Sequence, residues 1–357
     1  MTTSTISPVT GPAAWRGDQL VDDKSWIYQL SDEQVAELEA AGRRFVLDDP
    51  DLRSVTREQY PLPACAEAVT AWNREMERGR GFVLIRGLHT ELYSDAVSAA
   101  IFFLTGLHMG VVMQQSALGD VIDHVVATSS KTMDDPTARA SRVRDKLVYH
   151  SDSSDAVALL CLRPAKEGGA SSLVSGAQIF NEIVERRPDL APLLLEPFHF
   201  DWRRQDPNSP TTTYQSPVVS IADGVFSMYA GTTYIFTAAQ SYPDIVPPLT
   251  DDQVTVLRMF DEITQEQGMA LDMDFQPGDI QWVSNYAALH SRTAFTDHPE
   301  PQRRRHLMRL WLRNEYPRPM VSPFGKPVKA RDDQESLPDL GQFSIRTASI
   351  PRIDEHG

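Results

Sequence analysis

The chain has 357 residues, 41% of them hydrophobic, and a net charge of −15 from 34 basic and 49 acidic side chains. That balance suits a globular chain with a sizeable core in one large or two modest domains, and its negative field sets nucleic acid aside as a partner. Two cysteines, Cys65 and Cys161, are too few for a disulfide framework or a zinc ribbon, so the expected setting is reducing and cytoplasmic.

Residues 1–15 are rich in Thr, Ser and Pro and lack the apolar run of a signal peptide, so they are expected to be poorly ordered. Ser31, followed three residues later by Gln34, predicts a capped helix over 31–42. Ala66, Val69, Trp72 and Met76 keep helical spacing and predict a second helix over 63–78. A short buried strand follows over 82–87, then a helix over 93–104. Its apolar run, 99–104, is far too short to span a bilayer. Residues 16–107 therefore read as a helical first part.

From about residue 108 the pattern turns to strands. Segments 110–115 and 121–127 are expected to pair around Gly119-Asp120. Further strands fall at 147–150, 157–162 and 172–174. Ser175 then caps a helix through 186. The turn Asp223-Gly224, between 218–222 and 225–230, is the strongest short hairpin signal in the chain. Thr250 and Gln253 cap a helix reaching about 267. Pro277-Gly278-Asp279 turns into a strand over 280–283, and the last strand spans 305–312. A proline-rich tail, 316–357, shows no clear structure. Many short strands with helices inserted predict an α+β chain with a mainly β core, a double-sheet jelly roll over 108–315 with helices outside.

Chemistry concentrates at three residues. Nine histidines and 49 acids make about one His-x-Asp/Glu match expected by chance, and the chain has four, so the motif alone selects nothing. Strand geometry separates them. Residues i and i+2 face the same way, so His150 and Asp152 can grip one ion while Ser151 points away. His89-Thr90-Glu91 enters a helix, and His298-Pro299-Glu300 sits in a charged loop. His199 and Asp201 also share a strand face, but Arg203 and Arg204 beside them favour ion pairing. With His290 downstream, His150 and Asp152 make up the two-imidazole, one-carboxylate set of non-haem Fe(II) oxygenases. The bland alternatives are a surface-loop histidine beside a turn aspartate and a hydrogen-bonded structural His290. In the last strand Arg305, Leu307, Arg309 and Trp311 share one face, and a planar guanidinium there can hold a carboxylate through two parallel hydrogen bonds.

Taken in order, Tyr149-His150-Ser151-Asp152-Ser153-Ser154-Asp155, Gly168-Gly169-Ala170-Ser171, Phe275-Gln276-Pro277-Gly278-Asp279-Ile280 and Leu289-His290-Ser291-Arg292-Thr293-Ala294-Phe295, leading into 304–312, carry a resemblance. Over residues 26–312 the chain resembles the TauD/TfdA family of Fe(II)- and 2-oxoglutarate-dependent oxygenases. The resemblance implies a distorted double-stranded β-helix, with His150, Asp152 and His290 as iron ligands. It implies Arg305 for the distal carboxylate of 2-oxoglutarate, with Arg304 as the alternative because the preceding loop is long. Ser171 falls where the family carries a helping hydroxyl, and Arg309 where some members meet an anionic substrate.

The implied reaction spends 2-oxoglutarate and O2, releases succinate and CO2, and most simply hydroxylates an unactivated C–H bond. An intact Asp152 argues against halogenation. The substrate is expected to be a small acidic, amino-acid-like or natural-product molecule. Gln114, Gln115, Ser116, Lys146, Trp202 and Tyr229 are pocket candidates, and 231–242 and 201–215 candidate lids. Two other readings stay open: a redox-inert metalloenzyme on the same barrel, and a non-catalytic small-molecule-binding barrel. A homo-oligomer is compatible with the sequence.

Overall fold

The computed structural model describes residues 6–115, 119–129, 132, 140–202, 211–315, 318–326 and 343–351. Its helices are α1 (Gly17–Leu20), α2 (Asp32–Asp48), α3 (Ala66–Arg78), α4 (Asp95–Met109), α5 (Gly176–Arg186), α6 (Thr232–Ser241), α7 (Asp251–Thr264) and α8 (Ile345–Ala348). Ser31 Oγ accepts from Gln34 N at 3.3 Å, and Gln34 Oε1 accepts from Ser31 N at 3.0 Å, closing the capping box of α2. The helix runs past Gly42, where it was expected to stop. A Cβ there would lie 2.6 Å from Ile101 Cγ1, so this glycine serves the close α2–α4 crossing. Asp49 ends the helix with a φ of 44°. α4 is apolar on nearly every face and buried accordingly, from Val97 to Gly106.

Among the described residues, seven strands form the main sheet. They are β1 (Ile27–Gln29), β2 (Phe82–Arg86), β13 (Ile280–Ser284), β5 (Ala156–Arg163) and β16 (His306–Arg313), with β3 (Val111–Met113) and β4 (Asp123–Val125) both on the free edge of β16. Only β1–β2 is parallel. A smaller sheet orders β12 (Leu271–Met273), β7 (Ser171–Ser175) and β14 (Ala288–Arg292). Three two-stranded pairs complete the set: β10 (Val219–Ala222) with β11 (Val225–Met228), β15 (Phe295–Thr296) with β6 (Glu167–Gly168), and β8 (Phe198–Asp201) with β9 (Thr213–Ser216).

Alternation along the strands assigns the layers. Ala158, Leu160, Met308, Leu310 and Leu312 face the core shared with α2, α3 and α4. Phe82, Leu84, Val157 and Val283 on the main sheet meet Leu173, Ala288 and Met273 on the small one. Val174 and Leu289 on the outer side of the small sheet pack against α5 and α7. The site therefore lies between two sheets, each backed by helices. Among the described residues no helix is long and apolar enough to cross a membrane.

Four local expectations change. β3 and β4 do not pair with each other. The turn between them forms, with Gln115 N donating to Asp120 O at 2.7 Å, but β16 takes both strands. Segment 147–150 forms no strand; it meets β14 through a His150–His290 bridge, a Leu147 N to Arg292 O bond and a bond from Ser291 Oγ to Leu147 O. Residues 6–15 are held: Val9 exchanges hydrogen bonds with Asn181, and Trp15 is buried. In the tail, Arg318 donates to Phe226 O and Ser227 Oγ, and Ile345 of α8 is fully buried.

Candidate metal centre

The backbone brings the three ligand candidates together. His150 and His290 exchange N–H···O bonds at 3.0 Å each, which sets their rings 4.4 Å apart between centroids. Two residues on, Asp152 N donates to Asn285 Oδ1 at 3.0 Å and turns the carboxylate back toward His290 Nε2, 3.6 Å away. One ligand atom from each residue lies within 4.8 Å of the other two, and among the described residues no other such His/Cys/Asp/Glu group occurs.

His150 Nδ1 donates to Val148 O at 2.9 Å, which leaves the Nε2 lone pair for a cation. Burial, then His290, pushes the His150 pKa down to about 4, so the ring is neutral as a ligand must be. Burial works against the charge of Asp152, but Arg309 and the His290 contact outweigh it and hold the carboxyl well below its usual range. Trp311 Nε1 also donates to Asp152 Oδ2 at 3.0 Å, fixing the carboxylate's rotation. Two nitrogens and one oxygen converging from one side suit Fe(II).

Arg305 supplies the second part. It is 4% exposed, lines the same cavity as the triad, and burial lowers its pKa to about 10. Its backbone N–H is anchored on Asp297 Oδ1 at 2.8 Å, and its guanidinium lies over Phe295 and reaches Gly169 O at 3.4 Å. Among the described residues no carboxylate stands within ion-pair distance of it. A buried cation without a counter-charge is costly, and an incoming carboxylate offsets that cost. Arg304 instead reaches Pro299 O at the surface. Ser171 lines the cavity, its Oγ donating to Gln281 Oε1 at 3.0 Å.

Other candidates have different work. Lys146 is exposed and donates to Gln265 Oε1 at 2.8 Å, away from the cavity. Gln115 accepts from Arg309 Nε at 2.8 Å, while its own amide donates to Val121 O and Arg309 O. Arg309 is already paired, with Asp123 Oδ2 at 3.0 Å and Asp152 Oδ1 at 3.5 Å, so the free cation expected for an acidic substrate is not there. Trp202 and Tyr229 are buried among aromatics, with Tyr229 bonded to Tyr214. Gln114 is half-buried, and Ser116 lies outside the described residues. His199 bonds Thr213 and Gln215, while Arg203 and Arg204 beside it also lie outside the described residues. Stretch 231–242 is mostly helix α6, and of 201–215 only 201–202 and 211–215 are described.

Sequence reasoning missed Asp123, Asn285 and Arg292. Arg292 lines the cavity two residues after His290, and that spacing was its available signal. Asp123 and Asn285 had none.

Solved structures share the fold. An asparagine oxygenase in complex with Fe(II), 3-hydroxyasparagine and succinate aligns over 80% of this chain and 93% of its own, with a TM-score of 0.63 and 15% identity. The non-heme iron oxygenase OrfP, in complex with Fe and alpha-ketoglutaric acid, aligns over 81% and 94% with a TM-score of 0.60 and 13% identity. By sequence, the chain is 28% identical to FR-33289 synthase of Streptomyces rubellomurinus over 86% of this chain and 91% of that protein. It is also 28% identical to a taurine hydroxylase-like protein of Stachybotrys chartarum, over 83% and 77%. The family model described as taurine catabolism dioxygenase TauD, TfdA family matches residues 50–311, which span the triad and Arg305. The chain belongs to the TauD/TfdA family and is an Fe(II)- and 2-oxoglutarate-dependent oxygenase.

Proposed function

We propose that His150, Asp152 and His290 hold the iron, that Arg305 and Ser171 receive 2-oxoglutarate, and that the enzyme hydroxylates an unactivated C–H bond of a small amino-acid-like or natural-product molecule. When bound, the iron would activate O2, which is the oxidant, while 2-oxoglutarate would serve as the co-reductant and leave as succinate and CO2, one oxygen atom going to succinate and the other to the substrate. The protein's own residues do the positioning. Val148 O fixes the His150 tautomer, Trp311 and Asn285 orient Asp152, and the Gly168-Gly169 turn opens room for Arg305. The main and small sheets make up a distorted double-stranded β-helix around the site, with 16–315 as the catalytic unit.

The observation that carries this reading is Arg305, a buried guanidinium with no carboxylate at ion-pair distance among the described residues, beside two imidazoles and a carboxylate. A redox-inert metal site leaves that arginine unexplained. The substrate class follows the structural neighbours: the asparagine oxygenase is in complex with 3-hydroxyasparagine and OrfP with (3S)-hydroxy-L-Arg. Val157 and Leu159 give the cavity an apolar wall beside its charged groups. Two free, buried cysteines suit a cytoplasmic setting.

The test is an anaerobic optical titration of the metal-free protein with Fe(II) and 2-oxoglutarate. The expected result is the visible charge-transfer band of the chelated keto acid, weakened in Arg305→Ala and lost in Asp152→Ala. An equal band in Arg305→Ala would reject the arginine's role, and metal binding with no band in the wild type would favour the redox-inert reading.

A further inference from the structure

Arg309 sits at the centre of a row of alternating charges. Arg142 Nη2 lies 3.8 Å from Asp123 Oδ1, Asp123 Oδ2 lies 3.0 Å from Arg309 Nη2, and Arg309 Nη1 lies 3.5 Å from Asp152 Oδ1. The row is built into the backbone, because Asp123 of β4 and Arg309 of β16 are direct cross-strand partners. Opposite charges at such positions attract across an antiparallel pair. The guanidinium has little freedom: Gln115 takes its Nε–H, and Trp311 lies beneath it, with the ring centroid 5.0 Å away. Gln115 is held in turn by Val121 O and Arg309 O. Asp123 Oδ1 also accepts the His124 backbone N–H at 2.8 Å, which fixes the carboxylate at its own end.

One guanidinium thus serves two carboxylates, and Asp152 is the one that must remain available to a metal. Among the described residues, Asp123 and Asp152 are the acids within 4 Å of Arg309. If the charge of Asp123 is removed, Asp152 becomes the nearest counter-charge. The guanidinium then settles on it and competes with a cation for the same lone pairs. We propose that Asp123 is a positioning residue of this enzyme: it draws Arg309 away from Asp152 and so keeps that carboxylate free to bind iron. The same pairing takes Arg309 out of use as a free cation for an acidic substrate. Groups that orient a metal ligand commonly change metal affinity ten- to a hundredfold when replaced.

This inference rests on Asp152 being a metal ligand, so the experiment separates the two. Fe(II) binding to the full chain is measured by anaerobic calorimetry, without 2-oxoglutarate, for the wild type, Asp123→Asn, Asp123→Glu, Arg309→Ala, the double variant Asp123→Asn/Arg309→Ala, and Asp152→Ala. Asp123→Asn is expected to weaken Fe(II) about tenfold. Asp123→Glu, which keeps the charge, is expected to stay within about threefold of the wild type. In the Arg309→Ala background the second change should cost nothing further, because Asp123 acts only through Arg309. Asp123→Ser replaces the amide if Asp123→Asn melts before the titration temperature. Wild-type affinity in Asp123→Asn, or an equal loss with and without Arg309, would overturn the proposal. Wild-type affinity in Asp152→Ala would instead remove the metal-centre reading on which it stands.

Discussion

At the scale of single residues, the site depends on atoms that are missing as much as on those present. Gly168 and Gly169 have φ values of 72° and 75°, in the left-handed region that favours glycine. A Cβ on Gly169 would lie 3.0 Å from Arg305 Nε and 3.2 Å from its Cδ, so the turn is also the seat of the buried arginine. Gly169→Ala should therefore cost about 1–2 kcal/mol of stability by urea denaturation. It should also weaken 2-oxoglutarate binding by roughly tenfold, because the arginine must shift. Unchanged binding alongside the stability loss would show that the turn does not seat Arg305. His150, Asp152 and Arg305 were singled out by the order of motifs that carries the family resemblance, and the structure lines one cavity with all three, although His150 makes only an isolated bridge and β16 begins after Arg305. Lys146 was misleading because a charge says nothing about direction: it lies near the site in sequence and turns to Gln265. The partner of Arg309 could not be read at all, since Asp123 lies on a strand whose pairing was misassigned.

At the scale of elements, local signals located helices and turns well but mates poorly. Ser175 was read as the cap of α5, and its Oγ accepts Gln178 N at 3.0 Å while donating to Ala13 O at 2.5 Å. It thus holds both a helix start and the segment before α1. Ser175→Ala should cost about 1–2 kcal/mol in urea unfolding, more than an exposed cap, because two half-buried partners lose their bond at once. A loss of a few tenths would mean that neither bond matters. The Asp223-Gly224 hairpin formed as read, with φ values of 50° and 72° at its corner. The 119–120 turn also formed, yet its flanking strands went to β16. A turn needs only its own residues, whereas a strand's mate is chosen by everything else competing for its edge. The strand order of the main sheet was invisible for the same reason. The length of α2 was underestimated because a glycine can end a helix or let another helix approach, and the sequence does not distinguish the two.

At the scale of the whole molecule, a buried polar chain ties the sheet to the tail. Arg163 Nη2 donates to His306 Nδ1, and His306 Nε2 donates to His124 Nδ1, both at 2.7 Å. His124 Nε2 then donates to Ala348 O at 2.9 Å. Burial, then His124 and Arg163, pushes the His306 pKa down to about 3, and burial also lowers that of His124. Both rings stay neutral when folded but charge near 6.5 when unfolded. The unfolded state therefore binds more protons below that value. Stability is full above about pH 6.5 and falls as the pH drops toward 3. Urea midpoints at pH 7.5 and pH 5 should show this decline, and His306→Gln should reduce it; an equal decline in that variant would place its origin elsewhere. Fe(II) at a hundred times its Kd should add about 2.7 kcal/mol, visible as a rise in melting temperature that chelation reverses. The position of β13 has a further consequence, for the order in which the molecule is made. β13 lies between β2 and β5, and His290 follows it on β14, so the centre of the main sheet and the last of the three proposed metal ligands are both synthesised after most of the chain. Strands β2 and β5 cannot be bridged until β13 enters, which makes sheet closure a slow, long-range event. Metal loading is then a late step, open only to a chain whose sheet is already complete.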